Sequence, residues 1–254
     1  MEQDLRQAAA EQEREILAEQ ARRPLMGARE PGLASLSSEL GATWGFARKL
    51  PQLSRKYSAL RRVRGDGNCF FRAFVFRLLE ELCGEGPGRA GAQARAQALV
   101  AGALPALVAV GYEAVSIETF TDFAQDTFAG LSAMRAGDVE ALVCGPESEY
   151  LVWFARLVCA GFLKRHAERF LPFLQEHASV DEFCAKEVEP MGRECEQVQI
   201  IALTEYFGAR VFVEYLDAGG ADATLAHEFG AAESGALCTM HLLYRPSHYD
   251  VLYP

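Results

Sequence analysis

The sequence predicts an α+β domain in which a helical subdomain packs on a small mixed or antiparallel sheet. Apolar side chains recur at helical spacing through most of the chain before residue 208. Residues 209–216 instead place Val211, Val213 and Tyr215 on one side, the alternation typical of a strand. Two more strands are predicted over residues 237–244 and 248–253, joined by a turn at 245–247. Helices first and strands last favour the α+β class.

The helical segments follow from the same periodicity. Residues 44–57 carry aromatic and aliphatic side chains at mostly helical spacing, and the short basic stretch 60–64 then leads into a turn. Phe71, Phe74 and Leu78 recur at three- and four-residue steps, which predicts a helix that begins near Cys69. The other predicted helical segments are 92–110, 117–131, 139–143, 148–163, 169–174, 180–188 and 198–207, with a Gly-rich loop at 84–91.

The first 43 residues differ from the rest in composition. Residues 4–22 are rich in Ala, Glu, Gln and Arg, which predicts a helix that Pro24 ends. Its apolar stripe is thin, so a solvated extension and a helix ordered by a partner both fit. Residues 25–43 contain Gly, Pro and Ser and are predicted to be a linker with a helical turn near 33–40. We therefore divide the chain into an N-terminal helix and linker, residues 1–43, and a domain of residues 44–254.

Composition limits the classes of function. The chain has 254 residues, half of them hydrophobic, enough for a large core. Its net charge of -10 removes the electrostatic basis for general binding to nucleic acid or anionic membranes. Seven cysteines without a CxxC pair argue against a disulfide framework and a structural zinc site. The scattered cysteines suit a reducing compartment and no apolar run reaches transmembrane length, so we expect a location in the cytoplasm and also in the nucleus. We also expect a monomer.

The turn before Cys69 is the first chemical signal. Glycines flank Asp66, and Asn68 is a residue that can cap a helix. Cys69 would lie in the first helical turn, where free amides and the positive end of the helix dipole favour a thiolate and can hold an oxyanion. The alternative is a small buried cysteine beside a helix cap.

His248-Tyr249-Asp250 is the second signal. Residues two apart on a strand share a face, so Asp250 can bind one imidazole nitrogen and leave the other for a thiol. Tyr249 would then point into the packing. The alternative is a surface His beside a surface Asp. His241 and Cys238 are three residues apart and would point to opposite faces of a strand, so both are predicted to be structural rather than zinc ligands.

Both signals lie in longer motifs. One reads Asp-Gly-Asn-Cys-Phe-Phe-Arg-Ala over residues 66–73, and the other reads Leu-Leu-Tyr-Arg-Pro-Ser-His-Tyr-Asp-Val-Leu-Tyr over residues 242–253. Together with residues 182–184, 187–191 and 200–203, they closely resemble the otubain branch of the ovarian-tumour (OTU) cysteine deubiquitinases. Ser247 departs from this pattern, since Gly is expected before the histidine, and the loop at 84–91 is also unusual.

The resemblance implies the OTU fold and a papain-like thiol mechanism without metal or organic cofactor. Cys69 would be the nucleophile, His248 the general base and Asp250 the residue that orients it. Asp66 would support the turn whose backbone amides form the oxyanion hole. The implied reaction is hydrolysis of the isopeptide bond at the ubiquitin C-terminus through a thioester on Cys69.

The resemblance also implies partners. Otubains are associated with polyubiquitin of the degradative, proteasome-targeting lysine linkage. The helix at 4–22 is similar to the extension of the otubain-1 type, which contacts the proximal ubiquitin and helps to restrain ubiquitin-charged E2 conjugating enzymes. Two other hypotheses are open: an interaction protein that mainly inhibits ubiquitination by binding E2 and ubiquitin, and an unrelated Cys-His hydrolase.

Overall fold

A six-stranded mixed sheet forms the middle of the molecule. The computed structural model describes residues 18–40, 44–174, 176–217, 225–230, 232 and 235–254. The strands are β1 (Met26–Pro31), β2 (Ala59–Val63), β3 (Arg210–Tyr215), β4 (Leu225–Gly230), β5 (Thr239–Arg245) and β6 (His248–Tyr253). Their order across the sheet is β1-β2-β6-β5-β3-β4. Only the β3–β5 pair is parallel among these neighbours, so the predicted mixed sheet is confirmed.

Helices cover both faces of the sheet. The helices with their bounds are α1 (Ala34–Leu40), α2 (Trp44–Lys56), α3 (Cys69–Leu82), α4 (Arg89–Ala101), α5 (Ala103–Val108), α6 (Ala114–Ala129), α7 (Ala136–Cys144), α8 (Ser148–Arg165), α9 (Ala167–Phe170), α10 (Val180–Phe183) and α11 (Gln197–Phe207). A 3-10 turn follows α9 at Leu171–Phe173, and a π-helical turn follows α10 at Cys184–Val188. The predicted α+β class is confirmed.

The two faces of the sheet bury two separate apolar clusters. Tyr249, Val251 and Tyr253 of β6 face the main core, which contains the apolar side chains of α3, α8 and α11. Leu252 faces the other way, into a smaller cluster with residues of α1 and α2. Because strand side chains alternate, β6 carries one set of residues to each layer. The N-terminal helices α1 and α2 therefore form a second layer on the sheet.

Helix α3 lies deepest in the main core. Twelve of its fourteen residues are buried, including both arginines of its sequence. The sequence predicts one broad apolar face, and the structure buries nearly the whole circumference, as expected for a helix enclosed by others.

Three strands were missed by the sequence analysis. The predicted linker contains β1, which pairs with β2, so this part of it belongs to the sheet. The basic stretch before the turn is β2 itself, and the loop-like sequence around His227 is β4. The alternation of apolar and polar residues that identifies a strand is absent in both. In β2, arginines take positions that apolar residues would otherwise hold, and β4 is an exposed edge strand. The division at residues 43 and 44 stays a prediction.

The helix predictions differ from the structure mainly at their boundaries. The single helix expected over 92–110 is interrupted at Gly102 between α4 and α5. Residues 18–21 are helical and the helix ends before Pro24, as predicted. The rest of the N-terminal helix, residues 4–17, lies outside the described residues.

The hairpin between β5 and β6 has a two-residue turn of Pro246 and Ser247. Arg245 pairs with His248 on its two sides. Ser247 has a φ of 61°, in the left-handed region that glycine adopts without steric strain. The residue that departs from the family motif is thus also a strained one.

We predict that Ser247→Gly stabilises the protein. Left-handed backbone costs an L-residue about 1–2 kcal/mol, while glycine's freedom in the unfolded chain offsets about 0.5–1 kcal/mol of that gain. A net increase of about 0.5–1 kcal/mol in the free energy of unfolding is expected in urea denaturation. Ser247→Ala is the matched control, because it removes the hydroxyl but keeps the strain. Equal stability of the two variants would contradict the explanation.

Candidate active site

Cys69 is the first residue of α3, as the sequence predicts. Its side chain is 4% exposed and lies where the turn at 65–68 enters the helix. The first amides of a helix have no acceptor within it, so the Cys69 N–H points out of the helix start. A thiolate or an oxyanion at this position would be stabilised by that amide and by the helix dipole.

Asp66 organises the turn. Its Oδ1 accepts hydrogen bonds from the Asn68 amide at 3.0 Å and from Arg72 at 2.8 Å, and Oδ2 accepts the second Arg72 nitrogen at 2.8 Å. Arg72 is fully buried in α3, so this bidentate pair fixes the turn to the helix. The Asn68 amide already donates to Asp66. Of the Asn68 and Cys69 amides, the Cys69 amide is therefore the one that can donate to an oxyanion.

Asn68 does not cap α3 through its side chain, and that expectation was wrong. Its Oδ1 makes no bond to the helix amides and instead accepts from the Gly192 amide at 3.0 Å and from Arg156 at 2.8 and 3.2 Å. The residue is 95% buried among these partners. Asn68 therefore ties the turn to α8 and to the loop around residue 192.

Arg156 is the centre of this anchoring and was missed in the sequence. It is fully buried in α8 and donates to the carbonyls of Gly67, Val188 and Arg193 at 3.0, 2.8 and 2.7 Å. Burial lowers the pKa of its guanidinium to about 10. The signal that could have revealed it is an arginine inside the most apolar predicted helix, because a buried charge needs specific partners.

The backbone of Gly67 packs directly against the backbone of Gly192. Gly67 has a φ of 75°, and a Cβ built on it would lie 2.0 Å from the Gly192 carbonyl oxygen. No side chain fits in that space without movement of the backbone. Glycine is therefore required at position 67 both by its conformation and by the close approach.

His248 and Asp250 share a face of β6, as predicted. The distance from His248 Nε2 to Asp250 Oδ1 is 2.9 Å, which leaves Nδ1 as the free ring nitrogen. The Cys69 thiol also interacts with the imidazole, by a hydrogen bond and by charge. The next residues also meet, since the rings of Phe70 and Tyr249 pack edge to face with centroids 5.4 Å apart. The structure thus brings together Cys69, His248 and Asp250 from opposite ends of the chain.

The electrostatics of the pair favour a charged imidazole. Burial lowers the pKa of His248, but the hydrogen bond to Asp250 and the interaction with Cys69 outweigh it and raise the pKa to about 9. Burial opposes the charge of Asp250 too, yet the bond from His248, the charge of Arg245 and the Val63 amide lower its pKa. An imidazolium can stabilise a neighbouring thiolate and can later protonate a leaving group.

The other cysteines have different surroundings. Burial raises the thiol pKa of the five residues Cys83, Cys159, Cys184, Cys195 and Cys238. Cys144 is exposed on the surface. His241, the other half of the apparent zinc pair, stacks on Phe212 and binds the Tyr57 hydroxyl. Across the described ranges, no cluster of three or more His, Cys, Asp or Glu could hold a metal, and no helix is long and apolar enough to cross a bilayer.

We predict that Gly67→Ala disorganises this turn. The new Cβ displaces either the turn or residue 192, so the protein should lose roughly 2 kcal/mol or more of stability. Alkylation of Cys69 by iodoacetamide, followed at the peptide level at pH 7, should slow about tenfold as Cys69 is displaced from the helix start and from His248. Gly88→Ala is the control: Gly88 also has a φ of 75° but nothing within 4 Å of its Cβ position. Equal effects of the two variants would exclude the close contact as the cause.

Comparison with known proteins places the chain in a family. The model of the family described as Peptidase C65 Otubain matches residues 18–254. Human ubiquitin thioesterase OTUB1 is 36% identical over 210 residues, which cover 82% of this chain and 75% of the relative. The OVARIAN TUMOR DOMAIN-containing deubiquitinating enzyme 1 of Arabidopsis thaliana is 34% identical over 262 residues, covering 93% and 83%.

Solved structures agree with the sequence relatives. A chain from the complex of h/ceOTUB1 with ubiquitin aldehyde and UBC13~Ub superposes with a TM-score of 0.85 at 28% identity, and 97% of each chain is covered. The corresponding complex with UBCH5B~Ub gives a TM-score of 0.82 over 98% of each chain. The chain therefore belongs to the otubain family of OTU-fold cysteine peptidases.

Proposed function

We propose that this otubain, a cysteine-type deubiquitinase, hydrolyses isopeptide bonds of ubiquitin chains with Cys69 as nucleophile. The observation that carries the proposal is the meeting of three groups: a cysteine at a helix N-terminus, a histidine in contact with it and a buried aspartate on that histidine. The relatives named ubiquitin thioesterase supply the substrate class. Two of the similar solved complexes contain ubiquitin aldehyde and an E2~Ub conjugate.

The chemistry follows from the positions of the groups. The Cys69 thiolate attacks the carbonyl carbon of the ubiquitin C-terminus, and the negative charge that develops on oxygen is met by the Cys69 amide. His248 protonates the leaving lysine amine, and a thioester remains on Cys69. Water activated by His248 then releases ubiquitin and the free thiolate. Asp250 holds the imidazole orientation through both steps.

The preference for the degradative linkage and the restraint of E2 enzymes are the finer parts of the proposal. Support for the linkage comes from the resemblance of the motifs to otubains, and support for E2 binding comes also from the solved relatives bound to UBC13~Ub and UBCH5B~Ub. In this proposal the N-terminal helix contacts the proximal ubiquitin, as in the otubain-1 type. The alternative is a protein that mainly inhibits ubiquitination by binding E2 and ubiquitin, with the hydrolytic site secondary.

We expect Cys69→Ala to abolish cleavage of di-ubiquitin and to leave the fold intact, because Cys69 is the thiol that interacts with His248 and its side chain is small. The readouts are di-ubiquitin hydrolysis and thermal unfolding. A ubiquitin C-terminal electrophile should label Cys69 and not the exposed Cys144, which is the internal control for general thiol reactivity. Cleavage by the alanine variant, or labelling at Cys144 instead, would refute the assignment.

A panel of di-ubiquitins, run with and without a ubiquitin-charged E2, separates the finer hypotheses. We expect faster cleavage of the degradative linkage than of the others, and inhibition of E2 discharge by Cys69→Ala as strong as by the native protein. Removal of residues 1–17 should weaken E2 restraint while thermal stability is kept, since the contacts of Arg23 with Arg64 lie beyond the cut. Uniform cleavage of all linkages, or full E2 restraint without residues 1–17, would count against the respective parts.

A further inference from the structure

The carboxylate of Asp250 is held by more than His248. Its Oδ1 accepts the Val63 amide at 2.9 Å in addition to the imidazole. Its Oδ2 lies 2.8 Å from Arg245 and 3.4 Å from Arg62. The side chain is 0% exposed, so these contacts replace water completely. A carboxylate buried to this degree stays ionised only with such donors.

Both arginines also bind Glu39 of α1. Arg245 donates to Glu39 Oε1 at 2.8 Å, and Arg62 lies 2.7 Å from Glu39 Oε2. Two guanidinium groups are therefore shared between two carboxylates, one fully buried and the other, Glu39, 44% exposed. We call Glu39, Arg62 and Arg245 the α1 charge bridge.

The sheet register explains why these residues meet. Leu243 pairs with Asp250 and Arg245 with His248 across β5 and β6, and Leu60 pairs with Leu252 across β2 and β6. Arg62 is two residues after Leu60 and so shares its face, beside Asp250. Helix α1 is fixed above this face because Leu33 and Leu36 enter the smaller apolar cluster with Leu60, Leu243 and Leu252. Packing of the second layer thus sets the position of Glu39.

The charges of the bridge reach His248 through Asp250. Each guanidinium that binds Asp250 offsets part of the negative charge that stabilises the imidazolium. Glu39 in turn offsets part of the positive charge of the two guanidinium groups. Burial raises the pKa of Glu39, but the hydrogen bond and charge of Arg245 and the charge of Arg62 outweigh it, so Glu39 is ionised with a pKa below its usual range. Removal of Glu39 should therefore lower the proton affinity of His248, and removal of either arginine should raise it.

We propose that Glu39, Arg62 and Arg245 are positioning residues for the catalytic base: they fix Asp250 and set the proton affinity of His248 without touching the substrate. This inference rests on the proposed role of His248 as general acid and base. It extends the site beyond Cys69, His248 and Asp250 to a helix of the second layer.

Several other groups surround His248 and belong in any account of its titration. Asp250 and Cys69 contact the imidazole directly, and the Gly65 backbone lies against Nδ1. A cavity of about 580 Å³ opens beside the ring, and the charged side chains that line it besides the bridge and Asp250 are Arg23, Glu30 and Arg64. Glu30 is the carboxylate among these three, and the ion pairs of Arg62 and Arg245 in the described part of the chain are with Glu39 and Asp250. Glu30 is therefore a matched control for Glu39.

The test compares Glu39→Gln, Arg245→Gln and Glu30→Gln in the full chain. The first readout is the alkaline limb of kcat/KM for a ubiquitin substrate, expected near pH 9 in the native protein because the imidazolium is lost there. The second is direct NMR titration of His248 among the five histidines, which needs no substrate. Failure of the deubiquitinase proposal removes the first readout only, so the two inferences fail distinguishably.

We expect Glu39→Gln to shift both readouts to lower pH and Arg245→Gln to shift both to higher pH. Arg245→Gln should also lower kcat about ten- to hundredfold with KM unchanged, because Asp250 loses its geometry. Arg245→Lys should restore the titration and only part of kcat. Glu30→Gln should leave His248 unchanged. If Arg245→Gln does not fold, Glu39→Gln at the surface still decides: no shift, or a shift to higher pH, would overturn the proposal, as would equal shifts in Glu30→Gln.

Discussion

The buried charge of Asp250 is the constraint on which the arrangement of the site depends. A carboxylate that is shielded from water needs hydrogen-bond donors from the protein. Here the donors are Val63 of β2, Arg245 of β5 and His248 of β6. Strand β2 and the β5–β6 hairpin, which are far apart in the sequence, must therefore be in register before the charge is satisfied. The same register places His248 at the start of β6, so its orientation follows from the satisfaction of Asp250.

The nucleophile and the base are supported by different layers. Cys69 belongs to the layer of α3 and α8, where Arg156, Asn68 and Gly192 hold the turn before it. His248 and Asp250 face the layer of α1 and α2. The two meet because α3 begins beside the first residue of β6, where Phe70 packs on Tyr249. A defect in one layer should then affect one partner of the Cys-His pair first.

Much of this could be read from the sequence, and the failures have identifiable physical causes. Helices with strong periodicity were predicted well, and β6 was placed at its observed bounds. Strands β1, β2 and β4 were missed because ion pairs and edge positions replace their apolar alternation. The pairing of Cys69 with His248 came only with the family motifs, since no local pattern specifies contact between residues so far apart in the chain.

The residues that hold the site were missed for a different reason. Arg62 and Arg245 look like ordinary surface arginines when neighbours in sequence are the only context, and Arg156, although it stands out in an apolar helix, has its partners far away in the sequence. Their partners are backbone carbonyls and carboxylates brought by other elements, so their roles exist only after the chain has folded. Asn68 shows the same limit: its local pattern favours a helix cap, and Arg156 with Gly192 offers stronger partners to its oxygen.

The second layer also changes the meaning of the N-terminal region. Residues 25–40 were predicted to be mainly a linker, yet they supply an edge strand and the helix that carries Glu39. Leu36 of α1 and Leu33 just before the helix hold Glu39 near Arg62 and Arg245, while its carboxylate is still partly exposed. Because the Glu39 carboxylate is partly exposed, a charge that approaches α1 from solvent changes the electrostatic field at Asp250. Charge on α1 thus acts on the base through Asp250, whereas the turn before the nucleophile is held by the contacts of Asn68 in the opposite layer.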